Sequence, residues 1–147
     1  MRNYLLLPLM AFLLLSISSC KKEGQQIADE MEGEWIFIEI TKDGSVVDEN
    51  SMPSNVTFDN CDIKKDETCF GVWTASNGDQ INIKWTIDKK GNLMTLEDNG
   101  VVSGGTGGAN EATSDLAEYG GDWDIMEHSE ITLLIQKDNK KIEFGRP

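Results

Sequence analysis

Apolar and polar residues alternate along the stretch QINIKWTID, residues 80–88. Successive side chains of a β-strand point to opposite faces of the sheet, so a period of two puts an apolar row on one face and a polar row on the other. The apolar row contains Ile81, Ile83, Trp85 and Ile87. This stretch is therefore predicted to be a strand with one face on a core and the other in solvent.

Similar short segments recur along most of the chain, and turn residues separate them. The predicted strands are 34–41, 45–48, 55–63, 68–76, 80–88, 93–98, 123–128, 130–136 and 141–145. Parallel strands need a long crossover between them, and no helical segment of that length separates neighbouring strands here. The pattern predicts an all-β fold, an antiparallel meander of eight or nine strands closed into a small barrel or a sandwich.

The first predicted strand is apolar on both faces near its start. Its alternating apolar residues are Trp35, Ile36, Phe37, Ile38 and Ile40. We consider two explanations. A short helical turn at 27–31 covers the outer face, or a β-bulge switches which face is buried.

Residues 99–122 interrupt the strand pattern and contain seven of the 14 glycines. Within them, 110–119 is predicted to form a short helix, with Asn110 as its N-cap and Gly120 just past its end. The apolar side of this helix would hold Ala112, Leu116 and Tyr119. Long loops in compact domains are either functional or disordered, so two hypotheses follow. The segment is a lid over one mouth of a barrel, or it is a mobile surface loop.

The N-terminus has the pattern of a secretory signal. Arg2 precedes a compact apolar run at 5–15, and small or β-branched residues then lead to Cys20. A helix needs about 20 apolar residues to cross a bilayer, which is more than this run supplies. We therefore expect residues 1–19 to be a cleaved signal peptide, residues 20–29 to be a tether and residues 30–147 to be the folded domain.

Ile17-Ser18-Ser19-Cys20 resembles the bacterial lipobox. The resemblance implies that the sulfur of Cys20 carries a diacylglycerol, which would hold the protein on a membrane, because each buried methylene adds about 0.8 kcal/mol. It also implies an outer-membrane location, since Lys21 rather than Asp follows the cysteine. The alternative is an ordinary cleaved signal that leaves Cys20 as a free thiol.

The two remaining cysteines, Cys61 and Cys69, lie in the stretch NCDIKKDETC. If residues 64–66 form the turn, the cysteines become cross-strand partners, and a disulfide is geometrically within reach. Export favours its oxidation. A zinc site would need more thiol or imidazole ligands than these cysteines and His128 supply, so no metal site is expected.

Acidic residues outnumber basic ones by 26 to 13, which gives a formal net charge of −13. Nucleic acid is therefore excluded as a partner, because binding it requires cations that neutralise phosphates. We interpret the excess of acidic residues as charged side chains on a solvent-exposed surface.

Gly33-Glu34-Trp35, at the head of the first strand, resembles the opening motif of the lipocalins. The chain is more similar to the lipocalin-like lipoproteins of Gram-negative bacteria, which share a lipobox, a cysteine pair around a charged turn and a late strand like Trp123-Asp124-Ile125. The resemblance implies an eight-stranded up-and-down barrel over residues 30–146. It also implies that Arg146 packs on Trp35 and closes the barrel floor.

The same resemblance implies a small hydrophobic ligand inside the barrel. The predicted ligand-binding residues are Phe58, Trp73, Trp85, Leu116 and Tyr119. The alternative is a non-catalytic interaction module on the cell envelope, whose interior is filled by its own side chains.

Catalytic motifs are absent from the sequence. It contains neither G-x-S-x-G nor H-E-x-x-H, and its single histidine, His128, lies in a polar segment where a solvent-exposed side chain is expected. We therefore expect no enzymatic activity and no cofactor.

Overall fold

The computed structural model describes residues 23–66, 68–102 and 110–147. The predicted signal peptide, Cys20 and residues 103–109 lie outside the described residues. Two α-helices are present in the described residues, α1 (Glu23–Met31) and α2 (Asn110–Tyr119), together with a short 3-10 helix at Glu49–Ser51. The strands are β1 (Gly33–Lys42), β2 (Ser45–Val46), β3 (Asn55–Phe58), β4 (Cys69–Thr74), β5 (Gln80–Ile87), β6 (Leu93–Val102), β7 (Gly121–His128), β8 (Thr132–Lys137) and β9 (Lys140–Gly145). Neither helix has the length and apolar composition that crossing a bilayer requires.

The strands form one closed antiparallel barrel. From β3 to β9 each strand pairs with the next, β9 returns to pair with β1, and β1 pairs with β3. β2 pairs only with the far end of β1, which leaves eight strands in the barrel wall. The predicted eight-stranded up-and-down barrel is confirmed.

The core is the barrel interior. The predicted apolar row on β5 points inward, and each of its residues is at most 6% exposed. All four tryptophans are fully buried, and so are the aromatic rings of Phe58 and Phe144. Because aromatic side chains bury large areas, they account for much of the packing of this small domain.

A β-bulge explains why β1 carries apolar residues on both faces near its start. Its pairing with β9 shifts register between Phe37 and Glu39. Trp35 and Phe37 therefore face inward before the bulge, and Ile40 faces inward after it. Ile38 points outward and is 50% exposed. Of the two explanations considered, the bulge is the one that the structure shows.

Residues 23–29, expected to belong to the tether, form most of α1 instead. This helix lies across the end of the barrel where β1 begins, with Ile27, Ala28 and Met31 buried. It approaches closely at Gly24, where a Cβ atom would lie 2.2 Å from the carbonyl oxygen of Asp88. Gly24 therefore allows α1 to pack against the turn after β5, which is distant in the sequence.

Cys61 and Cys69 form a disulfide with their Cα atoms 5.5 Å apart. The predicted cross-strand geometry is wrong, however, because β3 ends at Phe58 and Cys61 lies in the following loop. Cys69 begins β4, where its pairing partner is Trp85 of β5. The side chain of Asp66 accepts a hydrogen bond from the amide of Asp62 at 2.9 Å, which closes the loop locally instead of continuing the ladder.

Candidate ligand-binding site at the α2 end of the barrel

The predicted aromatic lining is divided between the two ends of the barrel. Phe58 and Trp85 pack together at the end closed by α1, with ring centroids 5.2 Å apart. Trp73 lies towards the opposite end, where its ring contacts Phe37 at 4.9 Å. All three predicted residues are at most 1% exposed. The structure therefore does not bring them together as one site.

Helix α2 covers the end of the barrel where β7 begins, and its bounds match the predicted helix. Ala112, Leu116 and Tyr119 are buried against the barrel. The Tyr119 ring stacks on Trp73 with a centroid distance of 6.2 Å. Of the five predicted ligand-binding residues, the structure thus places Trp73, Leu116 and Tyr119 at this end.

The outer side of α2 is attached by exposed polar contacts. The hydroxyl of Ser76 donates to the carboxylate of Glu111 at 2.5 Å, and Lys42 Nζ lies 2.6 Å from Glu118 Oε1. The hydrogen bond from Lys42 lowers the pKa of the Glu118 carboxyl, and the same bond raises the pKa of Lys42. Exposed ion pairs of this kind contribute little to stability.

A carboxyl group lies at the boundary between α2 and the aromatic cluster. Asp115 Oδ2 accepts a hydrogen bond from Trp73 Nε1 at 3.2 Å. Burial raises the pKa of Asp115, the bond from Trp73 partly offsets that rise, and the charges of Glu111 and Glu118 add to it. Burial also raises the pKa of Tyr119 to about 12.

The barrel wall opens beside this cluster. β1 and β3 pair only as far as the rung between Ile36 and Asn55, because β3 begins at Asn55. Beyond this rung a cleft of about 480 Å³ lies between β1 and the segment 49–54 that leads into β3, and its volume is within the range of small-molecule sites. Its lining residues are Phe37, Ile38, Glu49, Asn50, Met52, Pro53, Ser54 and Ser76. Sequence reasoning missed this cleft because no local pattern marks where a connecting segment leaves a gap beside a neighbouring strand.

The predicted closing residues meet at the α1 end. The guanidinium carbon of Arg146 lies 4.1 Å from the centroid of the Trp35 ring. Trp35 Nε1 donates to the carbonyl of Met31 at 2.8 Å. Gly33 has a φ of 108°, and a Cβ there would lie 2.8 Å from Arg146 Nη1, so only glycine fits. We call Gly33, Trp35 and Arg146 the Trp35 clasp.

The α2 end repeats this arrangement. Gly121 has a φ of 96°, and its missing Cβ makes room for Lys137, whose Nζ would lie 2.6 Å away. Trp123 Nε1 donates to the carbonyl of Tyr119 at 2.9 Å, and Lys137 Nζ lies 6.0 Å from the Trp123 ring centroid. We call Gly121, Trp123 and Lys137 the Trp123 clasp. It was not predicted, although the sequence carries a local signal for it, since Gly-Asp-Trp at 121–123 has the spacing of Gly-Glu-Trp at 33–35.

His128 is not the solvent-exposed side chain that the sequence suggested. It ends β7 with its side chain 31% exposed, and Nδ1 lies 2.8 Å from Glu30 Oε2 of α1. The histidine therefore helps to attach α1. Over the described residues, no group of three or more His, Cys, Asp or Glu side chains is arranged to hold a metal ion.

Comparison with known proteins supports the fold. No family model matches the sequence, and no curated protein does. The structure resembles the crystal structure of a lipocalin-like protein from Bacteroides uniformis, with a TM-score of 0.51, 11% sequence identity and coverage of 80% of this chain and 98% of that one. It also matches an uncharacterized protein from Bacteroides eggerthii, with a TM-score of 0.47, 13% identity and coverage of 80% and 99%. At this identity the first likeness establishes a lipocalin-like fold and nothing finer.

Proposed function

We propose that this protein is a non-catalytic, lipid-anchored component of a bacterial cell envelope whose lipocalin-like barrel binds a small hydrophobic ligand at the α2 end. Cys20 would carry the anchor and place the barrel beside a membrane, most simply the outer membrane. The signal pattern and the lipobox-like residues before Cys20 support the anchor, and the lipocalin-like fold supports ligand binding.

The observation that carries the ligand-binding proposal is the cleft between β1 and the segment 49–54. Its volume of about 480 Å³ suits a small ligand. Most of its exposed lining is polar, and Phe37, Ile38 and Met52 are among the side chains that supply its apolar part. Phe37 is also in edge contact with Trp73 at 4.9 Å, so the cleft lies beside the aromatic cluster beneath α2. An amphiphilic ligand would place its apolar part against these side chains and its polar group along the rest of the lining.

The charge of the cleft restricts the ligand. Glu49 is the charged residue among its lining residues, and the nearby Ser76 is bonded to a second carboxylate, that of Glu111. A carboxylate on the ligand would be repelled, whereas an ammonium or a hydroxyl group would find acceptors. The proposed ligand is consequently a neutral or cationic amphiphile rather than a fatty-acid anion.

Titration of tryptophan fluorescence tests this proposal. Hexadecylamine, hexadecanol and hexadecanoate share a tail length and differ in charge. We expect saturable changes with the amine and the alcohol and a much weaker response to hexadecanoate. Glu49→Arg should make the response to hexadecanoate stronger than the response to hexadecylamine. Glu39→Arg is the control, because Glu39 lies on the exposed side of β1 and outside the cleft lining, and it should leave the order of the two responses unchanged.

A second candidate function follows from the filled interior. Phe58, Trp73 and Trp85 are packed against protein side chains and are at most 1% exposed. A barrel of this kind can act as a tethered interaction module without a ligand. Absence of a saturable fluorescence change with all three probes would favour this candidate and refute ligand binding.

Metabolic labelling tests the anchor separately. Radioactive palmitate should label the wild-type protein and should fail to label the Cys20→Ser variant. An unlabelled wild-type protein would refute the lipid anchor without bearing on ligand binding.

A further inference from the structure

The carbonyl groups at the end of each helix are bonded by side chains of the barrel. At α2, the carbonyls of Glu118, Tyr119 and Gly120 accept from Lys140 Nζ at 2.9 Å, Trp123 Nε1 at 2.9 Å and Lys137 Nζ at 2.8 Å, respectively. At α1, the carbonyls of Glu30, Met31 and Glu32 accept from Arg146 Nη2 at 2.7 Å, Trp35 Nε1 at 2.8 Å and Arg146 Nη2 at 2.7 Å. In both helices the bonded carbonyls are those of the second-last residue, the last residue and the residue that follows. A tryptophan indole bonds the middle one of the three each time.

These contacts matter because the last carbonyls of a helix have no partner within the helix. A cation placed there also meets the negative end of the helix dipole. Neither helix has a basic residue in its own last turn, so the capping cations all come from the barrel. The caps therefore hold the helices to the barrel as well as satisfying their ends.

The two clasps differ in how the cations are connected. At the Trp35 clasp one guanidinium bonds both flanking carbonyls and also reaches the carbonyls of Glu34 and Glu130 at 3.1 Å each. At the α2 end two separate ammonium groups, those of Lys137 in the Trp123 clasp and of Lys140 beside it, each bond one carbonyl. A rigid planar guanidinium holds several acceptors together, whereas flexible lysine side chains can release theirs one at a time.

We infer that Lys137 and Lys140 are positioning residues that latch α2 over the buried aromatic cluster around Trp73 and set how often this end of the barrel opens. The inference goes beyond the proposed function, because the proposed cleft lies at the same end but none of its lining residues is on α2. Opening would break the lysine contacts to the carbonyls of Gly120 and Glu118 and would lift Tyr119 from Trp73. The chain would pivot at Gly120 and Gly121, where no side chain restricts the backbone.

Hydrogen exchange of the α2 amides tests the latch without any ligand. In wild type, the amides of Leu116 and Tyr119 should exchange faster than barrel amides such as those of Ile83 and Ile135. Lys137→Met and Lys140→Met keep the apolar stem and remove the donor, and each should speed α2 exchange by about tenfold while leaving the barrel amides unchanged. Lys137→Arg keeps a cationic donor at this position, so α2 should exchange as slowly as it does in wild type.

Arg146→Met provides the matched control at the other clasp. It removes a comparable capping cation, but it should lower the midpoint of thermal unfolding without selectively speeding exchange in α2. The latch is refuted if α2 and the barrel exchange together in wild type and both lysine variants, or if Arg146→Met speeds α2 exchange as much as the lysine variants do.

Stopped-flow binding of hexadecanol separates the latch from the proposed function. No residue of α2 lines the cleft, so Lys137→Met should bind hexadecanol at the wild-type association rate. A faster association would place the ligand beneath α2, which would support the latch and refute the proposed cleft site. Selective α2 exchange without any probe binding would support the latch and refute the proposed function.

Discussion

The two ends of the barrel are closed by helices that finish in the same geometry but are attached along their lengths by different contacts. Gln25 of α1 donates to the carbonyl of Cys61 and accepts from the amide of Ile63, so α1 is bonded to the disulfide loop through a largely buried side chain. The contacts of Glu111 and Glu118 in α2 are exposed. Equivalent clasps can therefore serve a fixed floor and a movable cap, because the contacts elsewhere on each helix decide how strongly it is held.

The largest expected effect comes from placing a charge beneath each helix. Ile27→Asp buries a carboxylate under α1, and we expect it to lower the free energy of unfolding by more than about 3 kcal/mol, because the helix cannot leave without exposing the core. Leu116→Asp should cost less, about 2 kcal/mol, since α2 can detach and hydrate the charge. Urea denaturation measures both losses. Equal losses would contradict the distinction between floor and cap.

Removing the disulfide should weaken the α1 end selectively. Replacing Cys61 and Cys69 by serine is expected to lower the free energy of unfolding by about 2.5 kcal/mol, because the unfolded chain regains the freedom of that loop. Hydrogen exchange should become faster in α1, which is bonded to the loop through Gln25, and remain unchanged in α2. A selective change in α2 would show that the two ends are coupled.

The smallest expected effects depend on pH and have opposite signs at two positions of α2. The folded pKa of Asp115 lies above its ordinary value of 3.8, so its ionised form destabilises the fold. Asp115→Asn should therefore raise the midpoint of thermal unfolding at pH 7, and the gain should vanish as the pH falls through the folded pKa towards 3.8.

Glu118→Gln is the matched variant. The folded pKa of Glu118 lies below its ordinary value of 4.5, so its ionised form stabilises the fold above that pH. The variant should lower the unfolding midpoint at pH 7, and its deficit should disappear as the pH falls from 4.5 through the folded pKa. Thermal unfolding across about pH 3 to 7 measures both variants. Shifts of the same sign would contradict the opposite pKa directions.

Much of the barrel was predictable because its determinants are local. The alternation of Ile81, Ile83 and Trp85 follows from the pleat of a single strand, and the bounds of α2 follow from a break in the strand pattern and from Gly120 at its end. The disulfide was also predicted, but the predicted cross-strand geometry was wrong, since β3 ends at Phe58 and Asp66 closes the following loop locally.

The candidate site was less predictable because it depends on contacts between distant segments. Tyr119 stacks on Trp73 and Leu116 is buried at the same end, whereas Phe58 and Trp85 belong to the other end of the barrel. A sequence pattern shows that these side chains face inward, but their height in the barrel depends on strand register and stagger.

Short antiparallel strands, one disulfide and a helix at 110–119 were predictable from local periodicity, spacing and capping residues, because each depends on neighbours in the chain. The packing of Arg146 on Trp35 at the barrel floor was implied by the resemblance of Gly33-Glu34-Trp35 to the lipocalin motif. The folded barrel was needed to show that residues 23–31 close the floor, that a cleft lies between β1 and the segment 49–54, and that Lys137 and Lys140 cap α2. Each of these depends on groups far apart in the chain, which meet only when the barrel closes.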